Sequence, residues 1–115
     1  MIRVGIIGLG TVGAGTYRIL TQNHSLIKSR TGLNIKVEKI ADIDTSKPKE
    51  VGLKEGLFTT DAYEIINDKK IDIVVELIGG TTTAFDLITE SIKKKKGIIT
   101  ANKHLLALRG KEIFE

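Results

Sequence analysis

The chain predicts a three-layer α/β/α fold built on a doubly wound parallel sheet of the Rossmann-like type. Short apolar segments alternate with amphipathic segments along all 115 residues, and strands that alternate with helices form parallel sheets with right-handed crossovers. A glycine-rich turn, Gly8-Leu9-Gly10-Thr11-Val12-Gly13, also joins the first apolar segment directly to the first helical pattern. At this length we expect residues 1–115 to form one domain.

Hydrophobic periodicity places the elements of the first half of the chain. The first strand covers about residues 2–7, and a long helix is predicted from Thr11 to Lys28. The second strand covers about residues 33–41, where apolar and polar side chains alternate as in a strand covered on one face. The mostly apolar stripe of the long helix, which we expect to be buried, consists of Val12, Thr16, Ile19, Leu20, Asn23 and Ile27.

The second half begins with residues 44–57, which are predicted to form a loop with at most a short helix because polar residues and glycines interrupt the pattern. Thr60 or Asp61 then caps a short helix. Residues 71–78 are predicted to form a fully buried parallel strand, residues 82–95 a helix and residues 98–100 a short strand. A final helix is predicted to begin at Asn102 or Lys103. We expect the first strand to lie between the second strand and residues 71–78, with residues 98–100 outermost.

Composition excludes several classes of chemistry. The chain has no cysteine and two histidines, which leaves no disulfide, no thiol catalysis and no transition-metal site. No apolar run reaches the roughly 20 residues that span a bilayer, and no signal peptide is evident, so we expect a cytoplasmic protein without a membrane partner. Aromatic residues make up 4%, and the basic block Lys93–Lys96 is interpreted as a solvated helix end capped by Gly97, so no nucleic-acid partner is expected.

The glycine-rich turn predicts a dinucleotide site, because each glycine has a physical role there. Gly8 permits the tight turn, Gly10 lets a pyrophosphate approach bare backbone, and Gly13 allows the helix to pack closely on the strand. The anion then meets the free N–H groups at the start of the helix near Thr11. All six residues of the turn are therefore candidate cofactor-binding residues, and NAD or NADP is the expected cofactor.

Asp42 ends the second strand, where an acid hydrogen-bonds the hydroxyls of an adenosine ribose and repels a 2′-phosphate. It therefore favours NAD over NADP. Asp44 is a competing acid, and Lys47 and Lys49 are alternative partners for a 2′-phosphate. A solvated acid in a turn is the structural alternative for Asp42.

The predicted ligand site continues beyond the ends of the other strands, because ligands of such sheets lie outside the carboxyl ends. Gly79, Gly80 and Thr81 follow the buried strand, and Asn102 and Lys103 follow the last one. Lys103 stands in the first turn of a helix, against the helix dipole. An ammonium there binds a substrate carbonyl oxygen or passes a proton to an alkoxide. An ordinary turn and a surface lysine remain the alternatives.

Three other ionisable side chains receive no catalytic role. Glu76 lies inside the apolar strand and is interpreted as a carboxylate with its hydrogen bonds satisfied, either buried or at an edge. His24 lies on the first helix far from the strand ends, and His104 is expected to point away from the cleft.

Three motifs together resemble homoserine dehydrogenase. They are Gly8-Leu9-Gly10-Thr11-Val12-Gly13-x-Gly15, Val74-Val75-Glu76-Leu77-Ile78-Gly79-Gly80 and Thr100-Ala101-Asn102-Lys103-x-Leu105-Leu106-Ala107, in the order and spacing of that family's amino-terminal half. The resemblance implies reversible hydride transfer between NAD(P)H and aspartate 4-semialdehyde, giving L-homoserine on the route to threonine and methionine. It also implies that Lys103 lies beside nicotinamide and substrate and acts in proton transfer or binding.

The chain departs from the family in two respects. Many members carry an arginine near the end of the second strand that favours NADP, whereas this chain has Ala41-Asp42-Ile43-Asp44. Family enzymes also continue into a substrate and dimerisation domain that these 115 residues do not contain. We therefore expect dinucleotide binding with little or no turnover from this chain alone, and a homodimer at full length. The alternatives are a non-catalytic NAD-binding sensor or regulatory module and another amino-acid dehydrogenase.

Overall fold

The computed structural model describes residues 1–54, 56–78 and 82–100. They form a five-stranded parallel sheet, in the order β3-β2-β1-β4-β5, with helices on both faces. The elements in chain order are β1 (Ile2–Ile7), α1 (Thr11–Gln22), α2 (His24–Thr31), β2 (Ile35–Ala41), α3 (Lys47–Val51), β3 (Phe58–Thr59), α4 (Ala62–Ile66), β4 (Ile73–Glu76), α5 (Thr82–Lys93) and β5 (Gly97–Thr100). The predicted doubly wound α/β fold and its strand order are confirmed.

The core lies on the two faces of β1, the central strand. Val4 and Ile6 face α1 and pack in a cluster with Ala14 and Tyr17. Ile7 lies on the opposite face, in a cluster that includes residues of α4 and α5. Alternate residues of β1 are therefore buried against different helices, which requires an apolar strand throughout.

Gly5 of β1 brings α4 directly onto the sheet. A Cβ atom at this position would overlap Cγ2 of Ile65 and lie 3.1 Å from Cδ1 of Ile71. Ile65 has no exposed surface, so it has little room to move. The sequence analysis did not single out Gly5, because the pattern of β1 alone does not show which helix covers it.

A β-bulge in β2 interrupts the predicted alternation. Val37 pairs with Val4, but the next pair joins Lys39 to Gly5, so Glu38 is an extra residue. After the bulge, Ile40 packs in the same cluster that Val37 contacts. The Glu38 carboxylate forms an ion pair with the Arg3 guanidinium at 3.0 Å, which holds the bulge to β1.

The single helix predicted over residues 11–28 is two helices, α1 and α2, which meet at Asn23. Its predicted buried stripe is also wrong, because Val12 and Ile19 are 61% and 57% exposed. The buried face of α1 contains Gly13, Ala14 and Tyr17 instead. The reason is steric: Gly13 packs against the Gly8 backbone, and this contact decides which face of the helix meets the sheet.

The segment 44–57, predicted as a loop with at most a short helix, contains the short helix α3, and it is followed by β3, which pairs with β2. A strand of two residues is too short to produce a periodic signal, so the sequence analysis missed it. Asp61 caps α4 as predicted, since its carboxylate accepts a hydrogen bond from Tyr63 N at 3.0 Å. No helix within the described ranges is both long and apolar enough to cross a membrane.

The turn from α5 to β5 differs from the prediction in three details. Lys95, not Gly97, adopts the left-handed conformation with φ of 61°, and Gly97 is the first residue of β5. Lys93, Lys94 and Lys95 are exposed, as expected of a solvated helix end. Lys96 is not part of it, because its ammonium donates hydrogen bonds of 2.6 Å to the carbonyl oxygens of Asp68 and Ile71.

We expect Gly5→Ala to destabilise the fold by about 1–3 kcal/mol, because overpacking displaces buried side chains. Gly15→Ala is the matched control, since a Cβ at Gly15 meets no atom within 4 Å in the part of the chain that the structure describes. Alanine also favours a helix over glycine by about 1 kcal/mol, so this variant should be at least as stable as the wild type. Urea unfolding measures both changes, and equal midpoints for Gly5→Ala and wild type would contradict the close packing of α4 on β1.

Candidate functional site

Four strands end in one row at the carboxyl edge of the sheet. Ile7 of β1 pairs with Ala41 of β2 and with Glu76 of β4, and Glu76 pairs with Thr100 of β5. The segments that follow these residues in the chain contain every candidate site residue of the sequence analysis. The parallel register therefore brings their starting points to one edge, where ligands of such sheets bind.

The turn after β1 requires glycine at two positions. Gly8 has φ of 108°, in the region that favours glycine, and its N–H donates to the Ala41 carbonyl oxygen at 2.8 Å. A Cβ at Gly13 would overlap the Gly8 carbonyl oxygen. Both glycines are thus explained by the chain's own packing, in the roles that the sequence analysis gave them.

Gly10 is different, because nothing in the described structure requires a glycine there. Its φ is −78°, which any residue adopts, and a Cβ would meet no atom within 4 Å. Gly10 is the N-cap of α1, yet no side chain caps the helix and its first turn contains no acid. The helix therefore presents N–H groups and the positive end of its dipole to open space, which is the arrangement that binds anions.

The other residues of the turn contribute mainly through their backbone. Leu9 is only 1% exposed, and its side chain belongs to the core cluster beneath α1. Thr11 and Val12 are exposed at the start of α1. The turn is therefore anchored in the core on one side and open on the other.

Asp42 is tied to the glycine-rich turn. One oxygen of its carboxylate accepts a hydrogen bond from Leu9 N at 2.7 Å, and the other accepts one from Asp44 N at 2.9 Å. A carboxylate has about four lone-pair sites, so each oxygen keeps capacity for a ligand hydroxyl. The structure thus brings Asp42 beside the turn, as predicted, and adds a link to Leu9 that sequence reasoning missed.

The competing acid, Asp44, is engaged in its own turn. Its carboxylate accepts hydrogen bonds from the Ser46 hydroxyl at 2.6 Å and the Ser46 N–H at 2.9 Å. These bonds hold the pKa of Asp44 below its usual range. Asp44 therefore forms part of the loop, whereas Asp42 faces the strand ends.

An open cleft of about 550 Å³ lies next to Asp42, on the side of the sheet covered by α4 and α5. Ile43 and Tyr63 line it and expose 90% and 43% of their surfaces. Ile78 and Leu87 contribute further apolar surface. The sequence analysis missed this cleft, although an apolar residue directly after the acid that ends a strand was a signal for it.

Glu76 is buried at the end of β4 with no exposed surface. Its two oxygens accept hydrogen bonds from Ile78 N at 3.0 Å and from the Thr100 hydroxyl at 2.5 Å. Burial raises the pKa of Glu76, and the two hydrogen bonds oppose this shift. The interpretation of Glu76 as a buried carboxylate with satisfied hydrogen bonds is confirmed.

Five candidate residues, Gly79, Gly80, Thr81, Asn102 and Lys103, lie outside the described residues. Their roles, like those of the glycine-rich turn and Asp42 in binding a cofactor, stay predictions. In the ranges that the structure covers, no group of three His, Cys, Asp or Glu side chains is placed to hold a metal ion.

Comparison with known sequences identifies one family. A family profile described as the NAD-binding domain of homoserine dehydrogenase matches residues 8–115. The chain is 44% identical over 106 residues to the homoserine dehydrogenase of Methylobacillus glycogenes, and 36% identical over 113 residues to that of Bacillus subtilis. These alignments cover 92% and 98% of this chain but 26% of each relative. The chain thus spans about a quarter of the length of these relatives.

Comparison with solved structures gives the same result. A homoserine dehydrogenase from Thiobacillus denitrificans superposes with a TM-score of 0.89 at 44% identity, over 98% of this chain and 26% of that one. The enzyme from S. aureus superposes with a TM-score of 0.86 at 36% identity, over 97% of this chain and 29% of that one.

We expect the free energy of unfolding of Glu76→Gln, relative to that of the wild type, to be higher at about pH 8 than at about pH 4. Since burial raises the pKa of Glu76 in the folded chain, the unfolded chain ionises first as the pH rises above about 4.3. The wild type then loses stability until the pH passes the folded pKa, whereas glutamine does not titrate.

Urea unfolding across this pH range measures the difference between Glu76→Gln and wild type. Ser91→Ala is the control, because Ser91 is also fully buried and donates a hydrogen bond to the Leu87 carbonyl oxygen without titrating. Its effect on stability should not depend on pH. A constant difference for Glu76→Gln would contradict the prediction.

Proposed function

The chain belongs to the homoserine dehydrogenase family, whose NAD-binding domain it matches, and we propose that it binds NAD or NADP across the carboxyl ends of β1, β2 and β4. The observation that carries this proposal is the open space over Gly10 at the uncapped start of α1. The packing of the described residues needs no glycine there, whereas a pyrophosphate lying on the backbone does. The residues present therefore fit the cofactor.

In this proposal the pyrophosphate accepts hydrogen bonds from backbone N–H groups of the Gly8–Gly13 turn and the first turn of α1. Leu9 N is already bonded to Asp42, so the free N–H groups after Gly10 are the donors. The absence of an acid from the first turn of α1 leaves the helix dipole for the ligand's negative charge.

Asp42 binds the adenosine ribose through the lone pairs that Leu9 and Asp44 leave free. The neighbouring cleft, with the exposed side chains of Ile43 and Tyr63, receives the adenine ring between apolar surfaces. A carboxylate at this point repels a 2′-phosphate, so we propose that NAD is preferred over NADP.

The proposed activity is that of a homoserine dehydrogenase, as the relatives are named: the oxidation of L-homoserine and the reduction of aspartate 4-semialdehyde. The nicotinamide supplies or accepts the hydride when it is bound. Gly79, Gly80, Thr81 and Asn102 contribute to binding at that end, and Lys103 is proposed to hydrogen-bond the aldehyde oxygen and transfer a proton to it. We further propose that the enzyme acts as a homodimer with a substrate domain beside this one. Its proposed location is the cytoplasm, and it is proposed to have no membrane or nucleic-acid partner.

We expect Gly10→Val to abolish NADH binding while the fold is retained, because the new side chain fills the space for the pyrophosphate and its Cβ meets no atom of the described residues within 4 Å. Calorimetric titration with NADH measures the affinity, and circular dichroism checks the fold. Gly15→Ala, one turn further along α1, serves as control and should bind as the wild type does. Equal affinity of Gly10→Val and wild type would refute the proposed site.

We expect Asp42→Ala to narrow the preference for NADH over NADPH, because the variant loses the charge that repels the 2′-phosphate. Overall affinity should also fall, since the turn loses the hydrogen bond from Leu9 N. The control is Asp44→Ala, which removes a nearby acid that is bonded to Ser46 instead. An unchanged NADH to NADPH ratio in Asp42→Ala, with a changed ratio in Asp44→Ala, would assign the ribose to Asp44.

Enzyme activity is tested in a chimera in which this chain replaces the matching quarter of the Methylobacillus glycogenes enzyme. We expect the chimera to reduce aspartate 4-semialdehyde, and Lys103→Ala to lower kcat by about 100-fold or more while NADH affinity changes much less. Lys94→Ala is the control, because Lys94 is an exposed lysine after α5, at the opposite edge of the sheet.

Single-turnover rates at saturating semialdehyde separate proton transfer from substrate binding in this comparison. A near-wild-type single-turnover rate in Lys103→Ala would show that Lys103 is not a catalytic residue. A chimera that binds NADH but catalyses no reduction would favour the non-catalytic module.

A further inference from the structure

Glu76 is an unexpected residue for its place in the fold. It has no exposed surface and ends a strand whose preceding residues, Val74 and Val75, are buried and apolar. Burial removes much of the hydration free energy of a carboxylate, and this cost is offset only when the group is paired and hydrogen-bonded. In the part of the chain that the structure describes, both ion pairs are made by Glu38, so no cation there compensates Glu76. An apolar side chain would satisfy packing alone.

One hydrogen bond of Glu76 holds the segment after β4, and the other joins β4 to β5. One oxygen accepts from Ile78 N, two residues further along its own segment, and the other accepts from the Thr100 hydroxyl on β5. Leu77 N, between them, donates to the Ile7 carbonyl oxygen of β1 at 2.8 Å. The ends of β1, β4 and β5 are thus connected through a segment of three residues.

The position of these bonds along the chain is what gives them a functional meaning. Gly79 directly follows Ile78, and Ala101 directly follows Thr100. Glu76 therefore holds the last residue before each of the two segments, 79–81 and 101–103, that the proposed function assigns to the nicotinamide end. Asp42 makes the equivalent link at the other end of the site, where it holds Leu9 in the glycine-rich turn.

We propose that Glu76 is a positioning residue for the nicotinamide end of the site, fixing the strand ends from which residues 79–81 and 101–103 begin. This inference rests on the proposed binding of a nicotinamide dinucleotide. A carboxylate suits the role because it only accepts hydrogen bonds and offers both oxygens to donors from different strands. Substitution of Glu76 is expected to impair the nicotinamide end of the site and to spare the adenosine end.

The test compares two ligands on the 115-residue chain, NADH and ADP-ribose, which retains the adenosine and pyrophosphate but lacks the nicotinamide. Glu76→Met keeps a long side chain and removes both hydrogen bonds. It should weaken NADH binding by about tenfold and ADP-ribose binding by no more than about twofold, as expected for the loss of a buried hydrogen-bonding partner. Glu76→Gln should bind both ligands like the wild type, because its amide accepts from Ile78 N and donates to the Thr100 hydroxyl.

Ser91→Ala is the matched control, since it removes a buried hydrogen bond on the same face of the sheet, within α5. It should change neither affinity. If circular dichroism shows that Glu76→Met does not fold, Thr100→Val, which removes the bond to β5, is tested in its place. It should likewise weaken NADH binding and leave ADP-ribose binding nearly unchanged. A purely structural role would weaken both ligands equally, and that result, or no change in either affinity, would overturn the inference. A wild-type chain that binds neither ligand would instead refute the proposed function, and the inference with it.

Discussion

The close approach of Gly13 to the Gly8 carbonyl oxygen determines how α1 lies on the sheet. Because a Cβ at Gly13 would overlap that oxygen, the helix reaches the end of β1 without a side chain between them. This contact decides which residues of α1 are buried and which are exposed. It also places the start of α1, which no side chain caps, directly above the row of strand ends. Fold and candidate site therefore depend on the same contact.

Two carboxylates organise the carboxyl edge of the sheet. Asp42 joins the end of β2 to the turn after β1, and Glu76 joins the end of β4 to β5. Both also accept a backbone N–H from the residue two positions further along the chain. Each acid therefore shapes the segment that follows its own strand and connects it to a neighbouring strand. The sheet edge is held by side chains where the regular backbone ladder ends.

Sequence reasoning predicted the fold and the meeting of Asp42 with the glycine-rich turn, because both follow from strand order and parallel register. It failed where a single contact overrides periodicity. The buried face of α1 depends on Gly13. The bulge at Glu38 shifts the alternation of β2, and the sequence analysis did not use its local signal, the two consecutive charged residues Glu38 and Lys39. The two links made by Glu76 depend on which strands become neighbours. The pattern identified the residue as buried but did not show what it holds.

Leu9 lies at a point where stability and recognition meet. Its side chain is buried in the core beneath α1, while its N–H is bonded to Asp42. The turn is therefore ordered when the chain folds, so the binding of a ligand there costs the protein little additional conformational entropy. The same coupling acts in reverse, since a ligand that binds only the ordered turn raises the free energy of unfolding in proportion to the logarithm of its concentration once it is in excess. Core substitutions beneath this turn consequently alter affinity without touching the ligand.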